Sequence, residues 1–262
     1  MAIPKVIHYC WFGGNPKPKL AEKCIKSWKK YCPDYEIIEW NEENFDVSAN
    51  RYCREAYEAK KWAFVTDYAR LKILYEQGGF YFDTDVELRK SLDPLCSEQG
   101  FAGIENSTRF VKVNTGLGMG SEPGAPLVKA ILDSYEGISF LKEDGTLDTT
   151  TCTVRNTEIL KQYGYVEENK MQTVAGFTIY PTEYFSPMVM ENANLKVTKS
   201  TYSIHHYSLS WTPKENQIRR KKNLRKHRIN ETIYWFRVLP NRVLKMLLGE
   251  NRYARLKERL KK

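Results

Sequence analysis

In the run Phe80-Tyr81-Phe82-Asp83-Thr84-Asp85-Val86-Glu87-Leu88, two aspartates stand two residues apart among apolar and aromatic neighbours. Read as one strand, its period of two puts Phe80, Phe82, Thr84, Val86 and Leu88 on one face and Tyr81, Asp83, Asp85 and Glu87 on the other. Carboxylates this close repel one another, so ionising both is costly unless a cation sits between them; a hard divalent ion with oxygen ligands relieves the cost. The competing reading is a solvated acidic face on an edge strand. Two further segments bear on the choice. Asp67 and Arg70, at i and i+3 in Thr66-Asp67-Tyr68-Ala69-Arg70, share one helical face, which alone is a routine surface ion pair. In His205-His206-Tyr207-Ser208-Leu209-Ser210-Trp211 an imidazole can complete a metal shell begun by carboxylates, and Trp with Ser can contact a base or a phosphate, although a lone His pair is more often structural.

These residues need elements to position them. Ile3 to Phe12 is a nearly unbroken apolar run closing in Gly13-Gly14, the pattern of a strand buried on both faces and ended by a tight turn. After Pro16 and Pro18, Leu20, Cys24, Ser27, Trp28 and Tyr31 keep helical spacing, Pro33-Asp34 turns, and residues 35–40 read as a second strand parallel to the first. Residues 51–77 are helical in composition and end at Gly78-Gly79, the glycine stop that precedes the acidic strand. Further short strands are expected at 101–105, 177–181 and 202–207, giving an α/β chain.

The 262 residues, 42% of them apolar and 13% aromatic, make a globular protein with a full core, and no apolar run reaches the length of a membrane span. The amino terminus lacks the parts of a secretory signal, and six cysteines (Cys10, Cys24, Cys32, Cys53, Cys96, Cys152) without a CxxC pair fit reduced thiols in a cytosolic compartment, with no disulfide framework and no zinc site. The net charge of +9 is unevenly spread. Residues 1–213 hold 24 Lys+Arg and 28 Asp+Glu, net −4, whereas residues 214–262 hold 17 and 4, net +13. A mildly acidic body at 1–213 is thus followed by a basic, helix-like tail at 214–262 whose anionic partner differs from whatever the body handles.

Taken together, Ile3 to Gly14, Ser27-Trp28, Pro33-Asp34-Tyr35, Ala63 to Arg70, Leu74 to Glu87 and Ser210-Trp211 resemble, in order and spacing, the DXD-type sugar-nucleotide glycosyltransferases. That family includes fungal Golgi α-mannosyltransferases and bacterial capsular-polysaccharide glycosyltransferases, and is more distantly similar to the glucosylating clostridial toxins. The resemblance covers about residues 1–213. It implies a GT-A fold with a Rossmann-like nucleotide-binding sheet, a divalent ion (Mn²⁺ or Mg²⁺), and transfer from a UDP- or GDP-sugar with retention of configuration.

Carried over by position, the resemblance implies that Asp83 and Asp85 are the DXD pair, with Asp85 on the metal, and that Asp67, Arg70 and Tyr81 contact the donor sugar and diphosphate. It likewise places His8 and Trp11 at the nucleobase, Asn114 near the transferred sugar, Ser210 and Trp211 over the diphosphate, and His206 as third metal ligand. The glycines around Asn114 permit close backbone approach, though a plain turning loop reads the same. Leu209 stands where many bacterial relatives have Gly, and Phe80 or Phe82 where an aliphatic is usual. Metal and Arg70 would stabilise charge on the departing diphosphate, and a front-face displacement is implied; Glu105 is a polar contact to acceptor or donor. The acceptor expected is a glycan or lipid-linked glycan of a capsule or cell surface. A metal-dependent phosphoryl-transfer enzyme or nuclease, and an inactive polysaccharide-binding relative, are the rival readings. For the tail the resemblance says nothing. Arg219 to Lys222 and Arg225 to Arg228, followed by Ile229, Ile233, Phe236, Val243, Leu244, Leu247 and Leu248, form a cationic amphipathic stretch. It reads as a helix packed on the body or as a peripheral attachment to the inner face of an anionic membrane; nucleic acid is the least supported partner.

Overall fold

The computed structural model describes residues 2–208 continuously and, beyond them, residues 212, 215, 217–219, 221, 222, 224–226, 229, 230, 243, 245, 246, 248–250, 252 and 253. The chain divides into two compact units, Met1–Trp211 and Thr212–Lys262. The described residues of the second are largely helical, and no helix among the described residues is long and apolar enough to cross a membrane.

The first unit is built on β1 (Val6–Cys10), which pairs in parallel with β2 (Glu36–Trp40) on one side and β3 (Gly79–Tyr81) on the other. Antiparallel β6 (Val113–Ser121) follows β3, then β5 (Gly100–Ile104), parallel β8 (Phe177–Tyr180) and antiparallel β7 (Gln172–Val174) at the far edge. Five strands therefore run one way, while β6 and β7 oppose them. Side chains alternate across this sheet. Ile7, Tyr9, Phe80 and Phe101 bury in one cluster with Cys24 and Trp28 of α1 (Lys19–Tyr31) and with Phe185, whereas Cys10, Tyr81 and Ala102 bury among α2 (Arg51–Glu58), α3 (Trp62–Gln77), α4 (Pro126–Asp133) and α5 (Cys152–Gln162). Both faces are thus covered, as the apolar character of β1 requires. A one-turn helix, α6 (Thr182–Phe185), precedes the last described strand, β9 (Ser203–His205).

Three expectations are corrected. The acidic run is not one strand: β3 ends at Tyr81, residues 83–85 turn, and β4 (Val86–Leu88) pairs with β9 in a separate two-stranded sheet. Tyr81 and Glu87, assigned to a carboxylate face, are both buried, because the change of sheet breaks the period of two. The helix over 51–77 divides in two at Lys60, which adopts a positive φ of 55°. The glycine-bearing segment around Asn114 is no loop but β6, the longest strand and buried throughout. Its three glycines depress strand propensity, and pairing on both edges outweighs that. The stop at Gly78 forms as expected: φ is +67° and its N–H closes on Leu74 O.

Candidate functional site

At the carboxyl end of β3 the chain leaves the large sheet, and the residues of that exit line a cleft of about 930 Å³. Asp83 is fixed by its N–H donating to Gly116 O at 2.8 Å. Tyr81 Oη donates to Asp83 Oδ1 at 3.2 Å, and Arg70 Nη2 lies 3.4 Å from the same oxygen. Gly116 is what lets β6 come this close. A Cβ there would collide with Asp83 Oδ2 and Arg70 Nη1, so the requirement is one of space and not of φ.

The helical pair is no surface salt bridge. Arg70 is 3% exposed; its Nη2 donates to Asp67 Oδ1 at 2.9 Å and its Nε to Thr66 O at 3.2 Å. Burial opposes the charge on Arg70, but Asp83 and Asp67 outweigh it and hold the guanidinium firmly protonated. Burial pushes the Asp67 carboxyl up to about 6, with Arg70 pulling it back. One cation buried between two carboxylates is costly unless its remaining donors meet something, and Arg70 lines the cleft.

Asp85 is reached from the small sheet. Val86 pairs with His205, which sets His205 Nε2 3.1 Å from Asp85 Oδ1, while Ser208 N–H donates to Asp85 Oδ2 at 2.7 Å. Burial alone would raise the Asp85 carboxyl, but His205 and the Ser208 donors hold it well below the usual range, so it stays ionised. Its influence raises His205 in turn, against the effect of burial. Asp83, Asp85 and His205 each offer a ligand atom within 4.8 Å of the others. Two carboxylates and an imidazole are a donor set suited to a hard or borderline divalent ion, and the buried His205 Nδ1 has no hydrogen-bond partner.

The expected neighbour, His206, is elsewhere. Its Nε2 lies 2.9 Å from Glu87 Oε2, in a cluster with Lys23 at 2.7 Å and Arg89 at 3.2 Å from the Glu87 carboxylate. Successive strand residues point to opposite sides, so only one of two adjacent histidines can face Asp85. His8 is also corrected. It lies within β1, is buried, donates from Nε2 to Gly78 O at 3.0 Å and accepts at Nδ1 from Trp40 Nε1 at 3.1 Å. Burial pushes it down to about 4, and it ties β1 to the glycine stop of α3 without reaching the cleft. Trp11 does line the cleft, half-buried, with Nε1 donating to Asn15 O at 2.6 Å. Asn114 and Glu105 line it too: Asn114 Nδ2 donates to Glu105 Oε1 at 3.0 Å, Asn114 Oδ1 accepts from Gly116 N–H at 2.8 Å, and burial raises the Glu105 carboxyl. Ser210 and Trp211 lie outside the described residues. Sequence reasoning did not single out Gly116, His205, Cys152, Lys112 or Trp62 as lining the site. His205 had a signal as one of two adjacent candidates, and Gly116 as one of the glycines that permit close backbone approach near Asn114.

Two carboxylates, a buried arginine and an imidazole converge on one cleft at the strand ends. Residues 18–102 match the glycosyltransferase sugar-binding region containing a DXD motif. This stretch holds Asp67, Arg70, Asp83 and Asp85, and the resemblance noted from the sequence therefore stands. The chain is 35% identical over 149 residues to inositol phosphoceramide mannosyltransferase 3 of Schizosaccharomyces pombe, covering 53% of this chain and 39% of that protein. It is 31% identical over 110 residues to inositol phosphoceramide mannosyltransferase 1 of the same organism, covering 38% of this chain and 33% of that one. The chain thus spans well under half the length of these relatives. Among solved structures it is similar to the PaToxG glycosyltransferase, at 19% identity and a TM-score of 0.49, over 62% of this chain and 70% of that one.

Proposed function

We propose that the protein is a glycosyltransferase that moves a sugar from a nucleotide-sugar donor, UDP- or GDP-linked, to a hydroxyl of a glycan or lipid-linked glycan. The observation that carries this reading is the buried Arg70, held between Asp67 and Asp83 beside the Asp85 and His205 pair and turned to the cleft. The DXD region matched over residues 18–102 supports it.

A divalent ion, manganese or magnesium, would be held by Asp83, Asp85 and His205. When bound it supplies a Lewis acid for the donor diphosphate. The chain's own residues do the rest. Arg70 presents a rigid cation to the leaving phosphate oxygens, where charge grows as the glycosidic bond breaks, and because it is already oriented it needs no reorganisation at that moment. Asp67 and Thr66 O fix the guanidinium, and Tyr81 with Gly116 O fixes Asp83. Asn114 and Glu105 form a polar wall beside them that suits the hydroxyls of a sugar. Trp11 offers a flat apolar surface beyond the end of β1, where open α/β sheets receive nucleotides. We assign retention of configuration by front-face displacement, following the resemblance. The relatives' names, which refer to mannose transfer and a phosphoceramide lipid, support a lipid-linked acceptor, and the net positive charge of residues 214–262 supports attachment of the basic second unit to an anionic membrane surface.

The deciding experiment is a screen of donor hydrolysis across UDP- and GDP-sugars, with and without manganese. Release of nucleotide diphosphate from one donor, abolished by chelator and by Asp85→Asn, is the expected result. Hydrolysis of no donor, or activity undiminished in chelator, would end this reading.

A further inference from the structure

Behind the Asp67 and Arg70 pair lies a polar cluster that the cleft does not reach. Tyr52 of α2 and Tyr135, just beyond α4, are both fully buried, with ring centroids 5.1 Å apart and planes at 72°. Arg155 of α5 lies against both rings, its guanidinium carbon 5.5 Å from the centroid of Tyr52 and 5.7 Å from that of Tyr135, and its Nη2 is paired with Asp148. None of the three lines the cleft. Yet Tyr52 Oη, Tyr135 Oη and Arg155 Nε are buried without a hydrogen-bond partner among the described residues. A hydroxyl or an N–H taken out of water and left unpaired is costly, so three such donors side by side require an acceptor.

Asp67 is the acceptor at hand. Burial raises both phenols, and after burial the charge that acts most strongly on each is that of Asp67. The Asp67 carboxylate accepts from Arg70 Nη2 on Oδ1 at 2.9 Å, and two carboxylate oxygens have room for about four such bonds. Acceptor capacity is therefore left on Asp67 while donors are left on the tyrosines and on Arg155, with no direct bond between the two sets. Water accepts from a phenol and donates to a carboxylate at once, so it joins polar groups that stand too far apart to touch. Donors delivered to Asp67 in this way favour its charged form against burial. On the reading above, Arg70 meets the leaving diphosphate only as well as Asp67 holds it. We propose that water enclosed by Tyr52, Tyr135 and Arg155 links these side chains to the Asp67 carboxylate, and that the two tyrosines are thereby positioning residues for Arg70.

The test is a double-mutant cycle in the full chain, read by hydrolysis of the donor that the screen identifies and by urea midpoints. Tyr52→Phe and Tyr135→Phe keep each ring and remove only its hydroxyl. Each should lower kcat about threefold to tenfold, the scale of one hydrogen bond, with donor KM changed less than about twofold, since the effect reaches the leaving group through Arg70. In an Asp67→Asn background the same two substitutions should lower kcat no further, because the carboxylate through which they act is gone. Unchanged kcat in both single variants, or losses that add fully to that of Asp67→Asn, overturns the inference. The urea midpoints decide the water separately. A hydroxyl joined to Asp67 through water is lost at a cost, so each Phe variant should unfold at lower urea than the wild type, and less so in the Asp67→Asn background. A Phe variant more stable than the wild type shows a hydroxyl left unpaired in a dry core, which also overturns the inference. Hydrolysis of no donor by the wild type would sink the glycosyltransferase reading first, and with it the role assigned to Arg70, while the midpoints would still show whether the tyrosines are linked to Asp67.

Discussion

Arg70 shows most directly how chemistry depends on single atoms here. Its guanidinium meets Asp67 and Asp83 through one nitrogen and Thr66 O through another, a geometry that a lysine cannot copy with one point charge. Arg70→Lys should therefore lower kcat about a hundredfold while the chain still folds, measured by donor turnover beside circular dichroism. Wild-type turnover would show that the arginine does not act on the leaving group. Gly116 is a second single-atom constraint. Gly116→Ala pushes a methyl into Asp83 and Arg70, so activity should fall by at least about tenfold, with a stability loss of about 1–3 kcal/mol from overpacking. His8 gives a prediction about pH. Burial pushes its folded-state pKa down to about 4, below the ordinary value, so the unfolded chain takes up the proton first as pH falls. The stabilising contribution is complete above about pH 6.5 and is lost progressively towards pH 4, to the extent of about 3 kcal/mol. In His8→Gln, where an amide can still donate to Gly78 O, urea midpoints should depend less steeply on pH across that window; an unchanged slope refutes the assignment.

At the scale of elements, the small sheet of β4 and β9 is what brings Asp85 and His205 together, and α1 holds it in place. Trp28 Nε1 donates to Val86 O at 2.8 Å, and Ser27 Oγ accepts from Leu88 N–H at 2.9 Å. Ser27→Ala leaves the Leu88 N–H without its acceptor and should cost about 1–3 kcal/mol, read from a denaturant midpoint. Because Leu88 lies on the strand that follows Asp85, manganese affinity should weaken in the same variant. Unchanged affinity in a destabilised variant would mean that β4 is positioned by its pairing with β9 alone.

For the whole molecule, the acidic first unit and the basic second one invite different partners. In the second unit Arg219, Lys221, Lys222, Arg225 and Lys226 are exposed, as are Ile218, Ile229 and Met246. Ile233, Phe236, Leu244 and Leu247, which the amphipathic reading also used, lie outside the described residues. Each cation near an anionic surface contributes about 1 kcal/mol, screened by salt. The full chain should therefore sediment with phosphatidylserine-containing vesicles at low salt and release as salt rises, and replacing those five cations by Gln should abolish sedimentation. Binding indifferent to lipid charge, or retained by the substituted chain, removes the membrane role.

Much of this was legible in the sequence because it is local. The two-sided burial of β1, the glycine stop at Gly78 and the pairing of Asp67 with Arg70 each follow from residues within a turn or a strand of one another. The DXD pair was legible as a spacing. What the tertiary structure decided involves distant segments. Whether Asp67 and Arg70 form a solvated surface pair or a buried one depends on Asp83 lying against them across thirteen residues of chain. The glycine-bearing stretch at 113–121 becomes a strand only because β3 and β5 flank it. The choice of His205 over its neighbour rests on the register Val86 to His205, set between residues far apart in the chain, and a slip of one residue would have reversed it. Local pattern assigns residue types to faces, but which face meets which is settled only when strands pair.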